Sequence, residues 1–133
     1  MMIVAGFGFR EGASPAALRA ALDAAMAGAP GQSGAAPWML AAPADKAQGP
    51  AFEALADTLG LPAAPIPQDA LAAADPACLT RSAASEAARG VGSVAEASAL
   101  AALGPGARLL APRAVSPCGM ATCALALMEG PTP

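Results

Sequence analysis

The stretch MIVAGFGF, residues 2–9, runs without a charge until Arg10, Glu11 and Gly12 turn the chain. A short continuous apolar run bounded by turn residues is the pattern of a buried strand, and such strands sit in sheets covered by helices on both faces. That strand needs neighbours beside it and helices above and below it. The rest of the chain offers them in alternation.

Ser14 is placed to cap a helix with Pro15 at its first position, and Leu18, Leu22 and Met26 recur along one face of that helix. Gly28, Pro30, Gly31 and Gly34 then read as a loose loop. PWMLAAP, between Pro37 and Pro43, is a second strand. A helix from Pro50 carries Phe52, Leu55 and Leu59 on one stripe, with Gly60 suited to its left-handed end and Pro62 following. AAPIP is a short extended piece, and QDALAAAD a short helix stopped at Asp75-Pro76. From Cys78 to Arg89 the chain is weakly strand-like, then alanine-rich without a clear period. A further helix spans Val94 to Leu103, ended by Gly104-Pro105, and RLLAP and MATCALALM read as closing strands. The alternation predicts the α/β class: a single three-layer α/β/α domain over residues 1–133, with a mixed, mainly parallel sheet of about five strands.

Composition narrows the function. Hydrophobic residues make up 56% of the chain, but alanine dominates that figure, so the core is expected to be small-residue-rich. A net charge of −3 gives no global basic field, and nucleic acid is not an expected partner. The chain has no histidine, and Cys78, Cys118 and Cys123 lack zinc spacing, so neither a metal nor a cofactor is expected. Free thiols, a start without a basic leader, and an apolar stretch AVSPCGMATCALALM broken by Pro117 and Gly119 predict a cytoplasmic protein without a membrane partner.

The candidate site residues follow the strands. In GVGSVAE, Ser93 and Glu96 form a capping box, in which the hydroxyl accepts from one free amide and the carboxylate reaches back to another. Gly90 and Gly92, flanking Val91, permit a tight turn, and a helix start of this kind also suits an anionic ligand. GFGFREG has the spacing G-x-G-x-x-x-G, not the dinucleotide fingerprint, and Asp45 lies too far on to bind a ribose. Arg10 ends the first strand, Lys46 follows the second, and Arg113 follows LLAP. Parallel neighbouring strands would bring Arg10 and Lys46 to one rim with the Gly90 loop, a cationic surface suited to a ligand with several carboxylates. Acid–base chemistry would fall to Glu96, Asp45 or Lys46, since no histidine base and no nucleophile elbow is present. Of these, Glu96 already has a structural role, and Glu96 and Lys46 are the catalytic candidates.

GFGFREGAS, DKAQGPAFEALADTLGLP, GVGSVAEASALAALG and LLAPR, in that order, resemble the CobE and CbiG C-terminal domain family of cobalamin (vitamin B12) biosynthesis, in its stand-alone CobE-like form. The resemblance covers nearly the whole chain. It implies a three-layer α/β domain that binds a precorrin or corrinoid tetrapyrrole as a carrier or accessory protein, possible partners being other enzymes of the pathway. The alternative it implies is a hydrolase opening the lactone ring of a precorrin-5-type intermediate. Carried over position by position, the matching residues are Gly6, Gly8, Arg10, Gly12, Ser14, Lys46, Gly90, Val91, Gly92, Glu96 and Arg113. The chain departs from the family at Phe9, where a small residue or cysteine is common, and at Ser93, where asparagine is frequent. The expected ligand-binding residues are these matches from Gly8 onward, together with Ser93. An exposed apolar patch at Trp38 or Met120 would favour docking on a second protein.

Overall fold

The computed structural model describes residues 2–29 and 36–129, so the loop expected through Pro30, Gly31 and Gly34 lies outside the described residues. Six strands form one sheet: β1 (Met2–Phe9), β2 (Met39–Pro43), β3 (Ala63–Ile66), β4 (Arg108–Leu109), β5 (Ala114–Val115) and β6 (Ala121–Met128). The helices are α1 (Pro15–Ala27), α2 (Ala44–Ala47), α3 (Pro50–Leu59), α4 (Gln68–Ala74), α5 (Ala83–Arg89) and α6 (Val94–Leu103), with a 3-10 turn over Asp75–Ala77.

The sheet runs β3-β2-β1-β6-β4, with β5 also paired to β6. β1, β2 and β3 are parallel, and β6 is antiparallel to β1, β4 and β5. Five strands therefore point one way and β6 alone the other. β3 is one edge, where Pro65, with no N–H to donate, is tolerated and blunts further pairing.

The faces of β1 explain the layers. Ile3, Ala5 and Phe7 pack with Leu18 and Leu22 of α1 and with Phe52 of α3. On this side Phe52 meets Phe7 edge-on, with centroids 5.8 Å apart, and stacks with Phe9 at 6.1 Å. The opposite face of β1 is small: Val4, Gly6 and Gly8 alternate with those large residues. α6 lies against that face, across β1, β2 and β6, and α4 packs on α6. A Cβ at Gly6 would overlap the Ala95 carbonyl oxygen and the Ala99 amide nitrogen, so glycine is what lets the helix sit down on the strand. All residues from Ala95 to Leu100 are buried.

The three-layer α/β/α fold expected from the sequence is thus present, with six strands in place of about five. The extra strand arises because residues 108–115 do not run straight: β4 and β5 both pair with β6, while the chain between them turns away. α5, unassigned in the sequence, is a helix capped by Ser82, whose hydroxyl accepts from the Ser85 amide. Among the described residues no helix is long and apolar enough to cross a membrane.

Candidate functional site

The carboxyl ends of β1 and β2 meet the amino ends of β6 and α6 at a cleft of about 540 Å³, walled on one side by α5. Phe9, Val94 and Met120 give it an apolar lining, while Arg10, Lys46, Arg89 and Arg113 bring four of the chain's seven cationic side chains to it. Glu11 lines it as well.

The charge pairing is uneven. Outside the cleft, Arg19 pairs with Asp23, Arg81 with Asp75 and Glu86, and Arg108 with Glu129. At the cleft Arg89 pairs with Asp45, at 2.6 and 2.7 Å. That leaves Arg10, Lys46 and Arg113, none of which makes an ion pair among the described residues. Every unpaired arginine or lysine there lines this one cleft. Lys46 Nζ lies 5.3 Å from the centre of the Phe9 ring, a cation over an aromatic face.

Arg113 is held from below. Glu96, in the first turn of α6, is wholly buried, and its carboxylate accepts from the Leu79 amide at 2.6 Å, the Thr80 amide at 3.0 Å, the Thr80 hydroxyl at 2.7 Å and the Arg113 amide at 2.9 Å. The Arg113 guanidinium in turn donates to Thr80 Oγ1 at 3.0 Å. The amide of Arg113 thus donates to α6 rather than to β6, and with Pro112, which has no N–H to give, it falls in the gap between β4 and β5.

This corrects the capping box. Ser93 Oγ does accept from the Glu96 amide, at 3.3 Å. The Glu96 carboxylate, however, is committed to residues 79, 80 and 113 and does not reach back to Ser93. The physical reason is burial: a charged carboxylate with no solvent collects as many donors as the surrounding loops provide.

Of the sequence-derived candidates, Gly8, Arg10, Lys46 and Arg113 line the cleft. Gly12 sits in the exposed turn after β1 with φ +87°, and Ser14 caps α1 by accepting from the Ala17 amide at 3.1 Å. Gly90 is the left-handed end of α5, and Val91 is a core residue. The Gly92 amide donates to Asp75 Oδ1 at 2.8 Å, and a Cβ there would meet the Arg81 side chain. That amide, with Arg81 beside it, holds the Asp75 carboxyl below the usual carboxylate range. Ser93 and Glu96 are buried beneath the cleft, which α6 reaches through Val94. Trp38 is 62% exposed, at the start of β2 and away from the cleft.

Two contributors escaped the sequence. Arg89 stands one residue before the GVGS stretch but belongs to a helix with no buried residue, so no apolar stripe announces it. Thr80 lies in an irregular segment and acts only through Glu96 and Arg113.

An open sheet with helices on both faces, and a cleft beyond the carboxyl ends of its parallel strands, defines a three-layer α/β protein; clefts in that position are where open α/β sheets commonly take ligands. The chain belongs to the cobalamin synthesis G C-terminus family, whose model matches residues 3–126. It is similar to the crystal structure of CobE, a protein from the cobalamin (vitamin B12) biosynthetic pathway, with 35% identity, a TM-score of 0.83, and coverage of 97% of this chain and 93% of that one. It is similar also to the crystal structure of cobalamin biosynthesis protein chiG from Agrobacterium tumefaciens str. C58, with 33% identity, a TM-score of 0.73, and coverage of 97% and 100%. No curated protein matches the sequence. The family expected from the motifs is the family found.

Proposed function

We propose that the chain, as one domain over residues 1–133, binds a precorrin or corrinoid intermediate of cobalamin biosynthesis and serves the pathway as carrier or accessory protein. The observation that carries this reading is the convergence of Arg10, Lys46 and Arg113, the cations without an ion-pair partner among the described residues, on a cleft with an apolar lining. A corrin precursor is an apolar ring edged with acetate and propionate carboxylates, and it matches such a cleft in both respects. The cations receive carboxylates through charge-assisted hydrogen bonds, and Phe9, Val94 and Met120 receive an edge of the ring.

The test is a titration of the protein with a corrin polycarboxylate, followed by visible absorption. Saturable binding is expected to weaken as salt rises. Arg10→Ala and Lys46→Ala should each weaken it by about tenfold or more, the value of one charge-assisted hydrogen bond. The same corrin with its carboxylates esterified keeps the ring and loses the charge; equal binding of the two would overturn the proposal. Release of a two-carbon aldehyde from a precorrin-5-type lactone would identify the hydrolase instead.

A further inference from the structure

We infer that Glu96 and Thr80 are positioning residues that hold the Arg113 guanidinium in the cleft while leaving its other N–H donors free for a ligand carboxylate. The inference rests on reading the cleft as a polycarboxylate site, and it assigns to a buried group a role that the cleft lining does not show.

The argument begins with direction. An ionised carboxylate only accepts hydrogen bonds, and a threonine hydroxyl has a single proton to give. Thr80 Oγ1 lies 2.7 Å from Glu96 Oε2 and donates that proton there, so only lone pairs remain to face its other neighbour. That neighbour is Arg113 Nη1, at 3.0 Å, which has only protons to offer. The chain of bonds therefore runs one way: guanidinium to hydroxyl, hydroxyl to carboxylate. Glu96 sets the polarity of a hydroxyl it touches and, through it, the place of a guanidinium it does not touch.

Arg113 is fixed at two points. Its backbone amide donates to Glu96 Oε2 at 2.9 Å, and its side chain ends on Thr80. Neither contact is a direct ion pair: the atom against the guanidinium is a hydroxyl oxygen, with the Glu96 carboxylate one hydrogen bond further on. Arg89 offers the contrast: its guanidinium meets both oxygens of Asp45, so its charge is already answered.

Glu96 is also the one charged side chain that is buried among the described residues. Its carboxylate accepts nothing from its own helix; its donors come from residues 79, 80 and 113. Capping α6 does not require it, since Ser93 already serves that end. The buried charge instead gathers two irregular segments and sets the one that carries a cleft cation.

The experiment uses Thr80→Val, which keeps the branched shape and removes the hydroxyl, with Thr80→Ser as the conservative rescue. Uroporphyrin III, a tetrapyrrole octacarboxylate, is the probe, titrated by its fluorescence. Thr80→Val takes one donor from the buried Glu96 carboxylate, so it is expected to melt below the parent yet remain folded. It should bind about tenfold more weakly, the loss of one well-placed charged contact, while Thr80→Ser melts and binds like the parent. In an Arg113→Ala background Thr80→Val should cost nothing further. An undiminished effect of Thr80→Val in that background would overturn the inference. A second readout needs no ligand: 15N relaxation of the Arg113 Nε–H should report an ordered side chain in the parent and a mobile one in Thr80→Val. Unchanged order there overturns the inference even if the parent binds the probe, whereas failure of the parent to bind any tetrapyrrole polycarboxylate, with Arg113 order lost as expected, overturns only the reading of the cleft.

Discussion

The guanidinium of Arg89 grips both carboxylate oxygens of Asp45, at 2.6 and 2.7 Å, and so ties the last residue of α5 to α2 across the mouth of the cleft. α5 buries no residue of its own, and its other tethers are polar: Gln68 Nε2 to the Arg89 carbonyl at 2.6 Å, and the Ser82 amide to the Gly92 carbonyl at 2.8 Å. Hydrogen bonding to Arg89 holds the Asp45 carboxyl below its ordinary value of 3.8. The depressed carboxyl contributes fully at any pH above that value, and the contribution fades as the pH falls through the lower folded value.

Asp45→Asn should therefore loosen α5 without unfolding the protein. Asp45 is largely exposed although Arg89 is half-buried, and such a solvent-screened pair contributes about 1 kcal/mol or less to global stability. Amide hydrogen exchange over residues 83–89 should quicken at neutral pH, and the parent should show the same quickening only in acid. Arg89 would then be a further unpaired cation at the cleft, and polycarboxylate affinity should rise.

Gly6→Ala should be severely destabilising. The clash falls on backbone atoms of α6, at Ala95 and Ala99, which cannot rotate aside as a side chain can. Overpacking of a tight core typically costs about 1–3 kcal/mol, and this site belongs at the upper end. Urea unfolding should register it as a lower midpoint with an unchanged slope.

Glu96→Gln distinguishes a cap from a keystone. As a cap alone, the residue would lose about 1 kcal/mol or less. Turning one acceptor oxygen into an NH2 sets it against either the Leu79 and Thr80 amides or the Thr80 hydroxyl and Arg113 amide, and should instead cost about 3 kcal/mol, read by thermal or urea unfolding.

The three cysteines should react with iodoacetamide in a fixed order, readable by mass spectrometry. Cys118 is exposed, and the Ser116 hydroxyl with the Met120 amide holds its thiol below the ordinary value, so it should label first. Burial raises the thiol of Cys78, which should label slowly. Burial raises Cys123 much further, and it should stay unlabelled until the protein unfolds.

Where a segment buries one face, its pattern was legible. α1 and α3 follow their stripes and caps, from Pro15 and Pro50 to Gly60. α6 is buried nearly all round and shows no stripe; Ser93 and Gly104 at its ends are what located it. α5 buries nothing, and its sequence carries no period from which a helix, or Arg89 as a cleft residue, could be read. Gly6 was legible as a special position but not as the right kind, because a glycine needed for a packed helix looks the same in sequence as one needed for a ligand. Pro112, with no N–H for the ladder, marks the break between β4 and β5, but the bond that turns the Arg113 amide to Glu96, far from it in the chain, leaves no local pattern.

The pairing of β1 with β6, from Met2 opposite Met128 to Phe9 opposite Ala121, sets the order in which the protein can be made. β3, β2 and β1 are synthesised early and can align as a parallel half-sheet, but the inner edge of β1 stays open until β6 follows. Closing so long a loop costs chain entropy before any contact repays it, which makes this the slow, aggregation-exposed stage of folding. Gly8 and Phe9 gain Thr122 and Ala121 as neighbours only at that moment, so one wall of the cleft arrives together with the second half of the sheet. On the ribosome, a chain that stops before Ala121 would thus show an unpaired strand edge and no site, and ligand binding would appear as one late event.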